Sequence, residues 1–452
     1  VKAEDTMQPV LKTVVVTAET MDEPTMVVTD PRTPRQPLPA HDGADYLKTI
    51  AGFAVTRKGG TDGDPIFRGM AASRLGILAD GENILGGCNS RMDAPTSYIY
   101  PELYDSLTVI KGPQSVQYGP GNSAATIMFN RDSPRFSELG YRLHASALAA
   151  SADRRDLLAD LEAGGEWGYM KLTGSDSTAN DYKDGDGNKV HSQYHRYSSN
   201  VAFGLTPDEN TRIEVAATNS DGEAAYADRA MDGTKFRRDS HSILLERKHI
   251  SSLVEAVELR LYESSVNHVM DDQELRKPGK MGYANLARDT DGGRLSTTLA
   301  LSEASSLKVG MDTLNNEHSA RSAGVNHQYS PWVDDANFNQ YGVFAELNHD
   351  LDEHNRIVTG LRSDRWEATD ERGKMIMTSM MPKKMAKNIS SGETREQTLG
   401  SGFARIEHTL NDSPTTVYAG IGHTERFPDY WEMIAKQGET TASAFDINVE
   451  KT

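Results

Sequence analysis

The chain has 452 residues, of which 66 are acidic and 48 basic, giving a formal net charge of −18 at pH 7. A surface this acidic repels phosphate, so nucleic acid is excluded as an expected partner. No run of about 18 apolar residues exists, which rules out a spanning helix but not a β-barrel, whose strands alternate; a single cysteine, Cys88, rules out an internal disulfide.

Residues 1–45 hold little that could build a core. Pro24, Pro31, Pro34, Pro37 and Pro39 interrupt any regular element. No secretory leader stands at Val1, so the numbering is expected to begin at a mature terminus. One β-prone run stands out in this flexible arm: Thr13, Val14, Val15, Val16, Thr17 and Ala18. An isolated run of this kind suits strand addition to the sheet edge of a partner.

Residues 46–138 read as a glycine-rich α+β unit. A helix is expected to open near Asp45–Ile50. Ile66–Gly69, Leu75–Gly81 and Ser106–Gly112 are short strands ending in turn residues. From about residue 139 the texture changes to alternating segments separated by turn clusters. Asn200–Leu205 and Thr211–Ala216 flank Thr206-Pro207-Asp208-Glu209-Asn210. Tyr341–Leu347 and Arg356–Arg362 flank a turn at 352–355, and Phe403–Leu410 and Thr415–Gly422 flank Asn411-Asp412-Ser413-Pro414. Longer polar loops are expected at 180–198 and 367–396. Short turns at one end and long loops at the other suit an outer-membrane barrel; a soluble β-sandwich is the alternative.

Several motifs resemble those of TonB-dependent outer-membrane receptors. Asp64-Pro65-Ile66-Phe67-Arg68-Gly69 is similar to an early plug strand of that family, and Ile77-Leu78-Ala79-Asp80-Gly81 to its hydrophobic-Asp-Gly turn. The most specific stretch is Leu107-Thr108-Val109-Ile110-Lys111-Gly112-Pro113-Gln114-Ser115-Val116-Gln117-Tyr118-Gly119. Glu425-Arg426-Phe427-Pro428-Asp429-Tyr430-Trp431-Glu432 resembles a late barrel motif. The resemblance implies an all-β fold: a transmembrane antiparallel barrel of about 22 strands holding an N-terminal α+β plug in its lumen. It implies the outer membrane of a Gram-negative bacterium, contact with outer-membrane lipid, and TonB as the partner that pulls residues 13–18, the TonB box. Three parts are then expected: an arm at 1–45, a plug at 46–138 and a barrel at 139–452. Residues 139–452 supply only about 12 to 14 strands at the usual length, and Glu450-Lys451-Thr452 is a polar end, so the barrel is expected to be incomplete in this chain.

Soft metal donors recur in pairs. Cys88 and Met92 lie at i and i+4, and His268 and Met270 at i and i+2, on one face if that segment is a strand. One thiolate, two thioethers and one imidazole suit Cu(I) by softness, whereas zinc favours thiolates and imidazoles. Each pair alone also fits ordinary buried side chains. The resemblance adds weight, because the copper receptors of the family carry such pairs in plug and barrel. It implies copper as the transported ion, with uptake of a siderophore or other metal chelate as the alternative, and a surface receptor or adhesin as a rival of another class.

Met375, Met377, Met380, Met381 and Met385 form a second cluster. It reads first as flexible apolar filler, or as a thioether track for copper. Asp181–Asn188 lacks the glutamate a calcium loop needs and reads as a polar loop. No nucleophile–base set, phosphate loop or paired-carboxylate motif stands out, so no enzyme activity is expected.

We predict that deleting residues 13–18 leaves copper binding by the purified protein intact and abolishes energised uptake by cells. Loss of binding, or uptake that continues, would refute the role given to this run.

Overall fold

The computed structural model describes residues 25–88, 90–377, 385–411, 413–434 and 444–452. The Thr13–Ala18 run lies outside the described residues, as do Met380 and Met381.

The first unit centres on a five-stranded sheet. Its strands are β1 (Met26–Thr29), β2 (Leu75–Ala79), β3 (Glu82–Asn83), β4 (Ser106–Lys111) and β5 (Ala125–Asn130), in the spatial order β1-β4-β5-β2-β3. Only β2 and β5 run parallel. Their apolar runs fill the core, where Leu107, Val109, Ile127 and Phe129 are fully buried. Between β2 and β3 the chain reverses in two residues, Asp80 and Gly81, both with positive φ (49° and 81°). That is the turn chemistry Asp-Gly is chosen for, because glycine enters the left-handed region without steric cost. A short helix, α1 (Gly43–Leu47), packs on this unit and is capped by the Asp42 side chain, which accepts from the Asp45 amide.

One element departs from expectation. Met26–Thr29 is no part of a free arm: it pairs antiparallel with β4, and Val27 is fully buried beneath it. Four residues between prolines are too few to show a period. Only the partner strand, some 80 residues on, makes them a strand.

Thirteen strands form the second unit, each hydrogen-bonded antiparallel to its chain neighbours. They are β6 (Gly140–Ala150), β7 (Arg154–Gly165), β8 (Gly168–Ala179), β9 (Tyr194–Leu205), β10 (Thr211–Ala224), β11 (Asp232–Lys248), β12 (Val254–Asp271), β13 (Tyr283–Ser302), β14 (Ser305–Ala323), β15 (Val333–Asp350), β16 (Asn355–Asp370), β17 (Thr394–Thr409) and β18 (Thr416–His423). Between β16 and β17 a small hairpin pairs Met375–Met377 with Met385–Lys387. Many strands outrun the predicted segments: β10 continues to Ala224, β9 begins as early as Tyr194 and β16 runs on to Asp370, so the loops expected at 180–198 and 367–396 are shorter than their polarity suggested. The reason is that Thr218, Asn219 and Ser220 keep the backbone ladder after apolar alternation has ended.

Alternation sorts the two faces. Along β9, Asn200 and Ala202 are buried while Val201, Phe203 and Leu205 are exposed. The register aligns Leu295, Met311 and Val343 across three neighbouring strands, all exposed. A continuous apolar outer row beside a polar inner face is what lipid on one side and a filled lumen on the other require. The inner face grips the first unit through polar groups. Arg238 of β11 pairs with Glu82 at 2.7 Å, with side chains 3% and 7% exposed. Glu346 of β15 accepts from the Ser115 hydroxyl at 2.9 Å and the Val116 amide at 3.0 Å.

We predict that Arg238→Met, which leaves Glu82 buried and unpaired, destabilises the protein by about 3–5 kcal/mol, read as a lower thermal midpoint in detergent. The Arg238→Met/Glu82→Leu double variant should regain most of that loss. A midpoint unchanged in the single variant would show the pair to be inert.

Candidate metal centre

Cys88 of the first predicted donor pair and His268 and Met270 of the second come together at the seam between the units, and Met92 is buried in the same apolar cluster. Cys88 follows β3 in the segment Gly86-Gly87-Cys88, and His268 and Met270 sit near the end of β12, both facing inward. All four residues are buried: His268 fully, and Cys88, Met92 and Met270 at 4–6% exposure. The Cys88 Sγ lies 3.4 Å from the Met270 Sδ although 182 residues separate them. Two sulfurs on one ion in a tetrahedral site, at about 2.3 Å each, stand about 3.8 Å apart, close to what is seen. Cys88, Met92 and Met270 share one apolar cluster with Tyr226, Phe236 and Val266.

His268 is set as a ligand needs to be. Its Nδ1 donates to the Lys235 carbonyl at 2.8 Å. That bond fixes the tautomer and leaves a lone pair on Nε2. Nε2 is buried and has no hydrogen-bond partner. A buried polar atom left unsatisfied costs about 1–3 kcal/mol, a cost a bound ion would remove. The Phe236 ring, 4.6 Å away centroid to centroid, holds the imidazole from one side.

Around Cys88 the backbone is tightly constrained. The Asp93 carboxylate accepts from the amides of Gly87 (2.7 Å) and Cys88 (2.8 Å) and from the Tyr98 hydroxyl (2.7 Å). A Cβ on Gly86 would stand 2.2 Å from the Asp93 carbonyl oxygen, so that close approach requires glycine. The Ser90 amide donates to the Cys88 sulfur at 3.3 Å. Arg91 takes a left-handed conformation (φ 52°) as the loop turns back, and its guanidinium forks onto Asp64 at 2.8 and 2.9 Å. Met92 closes the loop, its carbonyl accepting from the Tyr226 hydroxyl at 2.6 Å.

Asp93 was not singled out from sequence. One donor atom each from Cys88, Asp93 and His268 lie within 4.8 Å of one another. Its carboxylate is occupied by three hydrogen-bond donors, and hard oxygen is a poor match for a soft ion, so its place is behind the ligands. Its position directly after Met92 was the available signal. Burial, with the Asp93 carboxylate adding to it, pushes the Cys88 thiol up to about 12. Cys88 and Asp93 also line a cavity between the units that Tyr118, Arg260, Tyr262, Arg294 and Trp366 help to enclose.

Residues 17–126 match the TonB-dependent Receptor Plug Domain, and residues 171–449 match the TonB dependent receptor-like, beta-barrel family. The chain belongs to the TonB-dependent receptors. Such receptors are outer-membrane proteins of Gram-negative bacteria, and the family is one of transporters and receptors rather than enzymes. The solved structure of the copper transporter OprC is 46% identical to this receptor, with a TM-score of 0.91. The match covers 96% of this chain and 70% of that one. The FrpB iron transporter from Neisseria meningitidis aligns at 15% identity and a TM-score of 0.70, over 89% of this chain and 64% of its own. The Serratia marcescens hemophore receptor HasR aligns at 19% identity and a TM-score of 0.72, over 91% and 65%. These two share the fold. No curated protein sequence matches the receptor.

The raised thiol dictates a pH dependence. A thiol held protonated in this way would have to lose its proton before it could bind an ion, so acid would oppose such binding and base favour it. We predict that apparent copper affinity rises about tenfold per pH unit between roughly pH 7.5 and 9, measured by competition with a chelator of known pH response. A flat profile would exclude thiolate ligation.

Proposed function

We propose that this receptor captures copper outside the cell, as the cuprous ion, and delivers it to the periplasm with work supplied through TonB. Cys88 and Met92 from the plug and His268 and Met270 from the wall are the proposed ligands. The observation that carries this reading is the bare Nε2 of a fully buried His268 beside the paired sulfurs of Cys88 and Met270. Two thioethers, one thiol and one imidazole make a soft donor set that favours Cu(I) over the harder divalent ions. The 46% identity to a copper transporter supports the same cargo. Cys88 carries most of the affinity, because it alone brings a formal charge to the ion.

A second reading, uptake of a siderophore or other metal chelate, is favoured by the cavity beside Cys88. Its aromatic and basic lining, including Tyr118, Tyr262, Trp366, Arg260 and Arg294, suits an anionic organic ligand. The readings part at Cys88, since chelate uptake would survive its loss.

We predict one copper per wild-type protein after purification, resistant to displacement by zinc, and little or none in Cys88→Ala. Met92→Ala and Met270→Ala should each lose less affinity than Cys88→Ala, with His268→Ala between. Equal copper in wild type and Cys88→Ala, or ready exchange for zinc, would refute the soft four-ligand site.

A further inference from the structure

The late motif around Tyr430 has no part in the ligand set, yet its contacts lead to the Cys88 loop. The carbonyls of the two residues before Cys88 are both held by nitrogen donors of the barrel wall. His318 of β14, fully buried, places Nε2 2.6 Å from the Gly87 carbonyl oxygen and Nδ1 2.5 Å from Asp335. A carbonyl only accepts, so Nε2 carries a hydrogen and donates. Arg288 of β13 donates to the Gly86 carbonyl at 3.3 Å and to Asn316 at 2.8 Å. Together with Asp93, which takes the Gly87 and Cys88 amides, these contacts hold the peptide groups leading into Cys88 from both sides of the seam.

Both wall residues are in turn held by one short segment. Helix α2 (Tyr430–Met433) follows Asp429, and its first turn is closed by Glu432 accepting from the Asp429 amide at 2.9 Å. Asp429 accepts from Arg288 at 2.8 Å and from the Ser73 hydroxyl at 3.1 Å. The Tyr430 ring stacks on His318 with centroids 3.5 Å apart, and its hydroxyl donates to Asp335 at 2.8 Å. Trp431 donates from its indole nitrogen to Ser73 at 2.9 Å. The segment thus touches wall and plug at once.

We propose that His318 and Arg288 are positioning residues for the copper site, and that Asp429 and Tyr430 hold them in register. They touch no ion. They fix the Gly86 and Gly87 carbonyls, and through them the direction in which the Cys88 sulfur points. Partners behind metal ligands of this kind are typically worth about 10–100-fold in metal affinity. The proposal rests on the copper reading for its effect on affinity, but the hold on the loop exists without metal and is tested without it.

The experiment uses the whole receptor in detergent. Cys88 is labelled with a small maleimide in the metal-free protein, and cuprous affinity is measured against bicinchoninate. His318→Ala should label roughly tenfold faster than wild type and bind copper about 10–100-fold more weakly, with stoichiometry still one. His318→Gln keeps a donor for the Gly87 carbonyl and should restore labelling to within about threefold of wild type. A role in general folding would not be rescued in that way. Wild-type labelling and affinity in a folded His318→Ala would overturn the proposal, as would His318→Gln behaving like the alanine variant. Where His318→Ala does not fold, Tyr430→Phe decides: it removes only the hydroxyl bond to Asp335, and labelling unchanged from wild type would overturn the proposal. If the wild type bound no copper, the copper reading would fall, while the labelling comparison would still decide the hold on the loop.

Discussion

In hydrocarbon an unpaired backbone amide costs several kcal/mol, and the wall of this receptor meets that cost strand by strand. Within the thirteen-stranded sheet each strand bonds to its chain neighbours, β6 and β18 at its ends to one each. Once the backbone is committed to that ladder, side chains have only two directions. Apolar residues such as Leu295, Met311 and Val343 take the outer one. Polar side chains that point inward, such as Arg238 and Glu346, meet the plug. The seam is therefore dense in charge and hydrogen bonds, and buried pairs such as Arg238 with Glu82 follow from the geometry of the wall rather than from any gain in stability they bring.

The candidate metal centre is an apolar exception within that polar seam. Tyr226, Phe236 and Val266 belong to the same apolar cluster as the sulfurs, and the polar atoms nearby are nearly all spoken for. Asp93 accepts from two amides and a hydroxyl, and His268 Nδ1 donates to a carbonyl. What remains for an ion is a neutral thiol, thioethers and one imidazole lone pair. Such a pocket is poorly suited to hard, hydrated cations, because its nearest carboxylate, Asp93, is already engaged by three donors, and it suits an ion that forms strong bonds to sulfur.

How far this was legible in the sequence depends on whether a feature is local. The Asp80-Gly81 turn, the strand ending at Lys111 and the donor pairs at i, i+4 and i, i+2 are written in neighbouring residues, and each was read from them. The pairing of Met26–Thr29 with β4 was not, because its partner is remote and its own four residues show no period. The meeting of Cys88 with Met270 across 182 residues came from family resemblance and not from spacing. Asp93 and His318 were missed for another reason. They act on backbone amides and carbonyls, which every residue possesses, so no side-chain pattern marks their targets.

The division of the proposed ligands between two structural units has a thermodynamic corollary. A tetradentate chelate is strong because its donors are already close: once one is bound, the effective concentration of the next is very high. Here that advantage belongs to the docked arrangement alone. Moving the segment that carries Cys88 and Met92 away from His268 and Met270 leaves two bidentate halves, and the cooperative part of the affinity vanishes with the separation. Under the proposed function, tight retention and ready discharge would need no change in oxidation state, pH or ligand chemistry. They would differ by a displacement of a few ångströms, so a mechanical input would be converted directly into release.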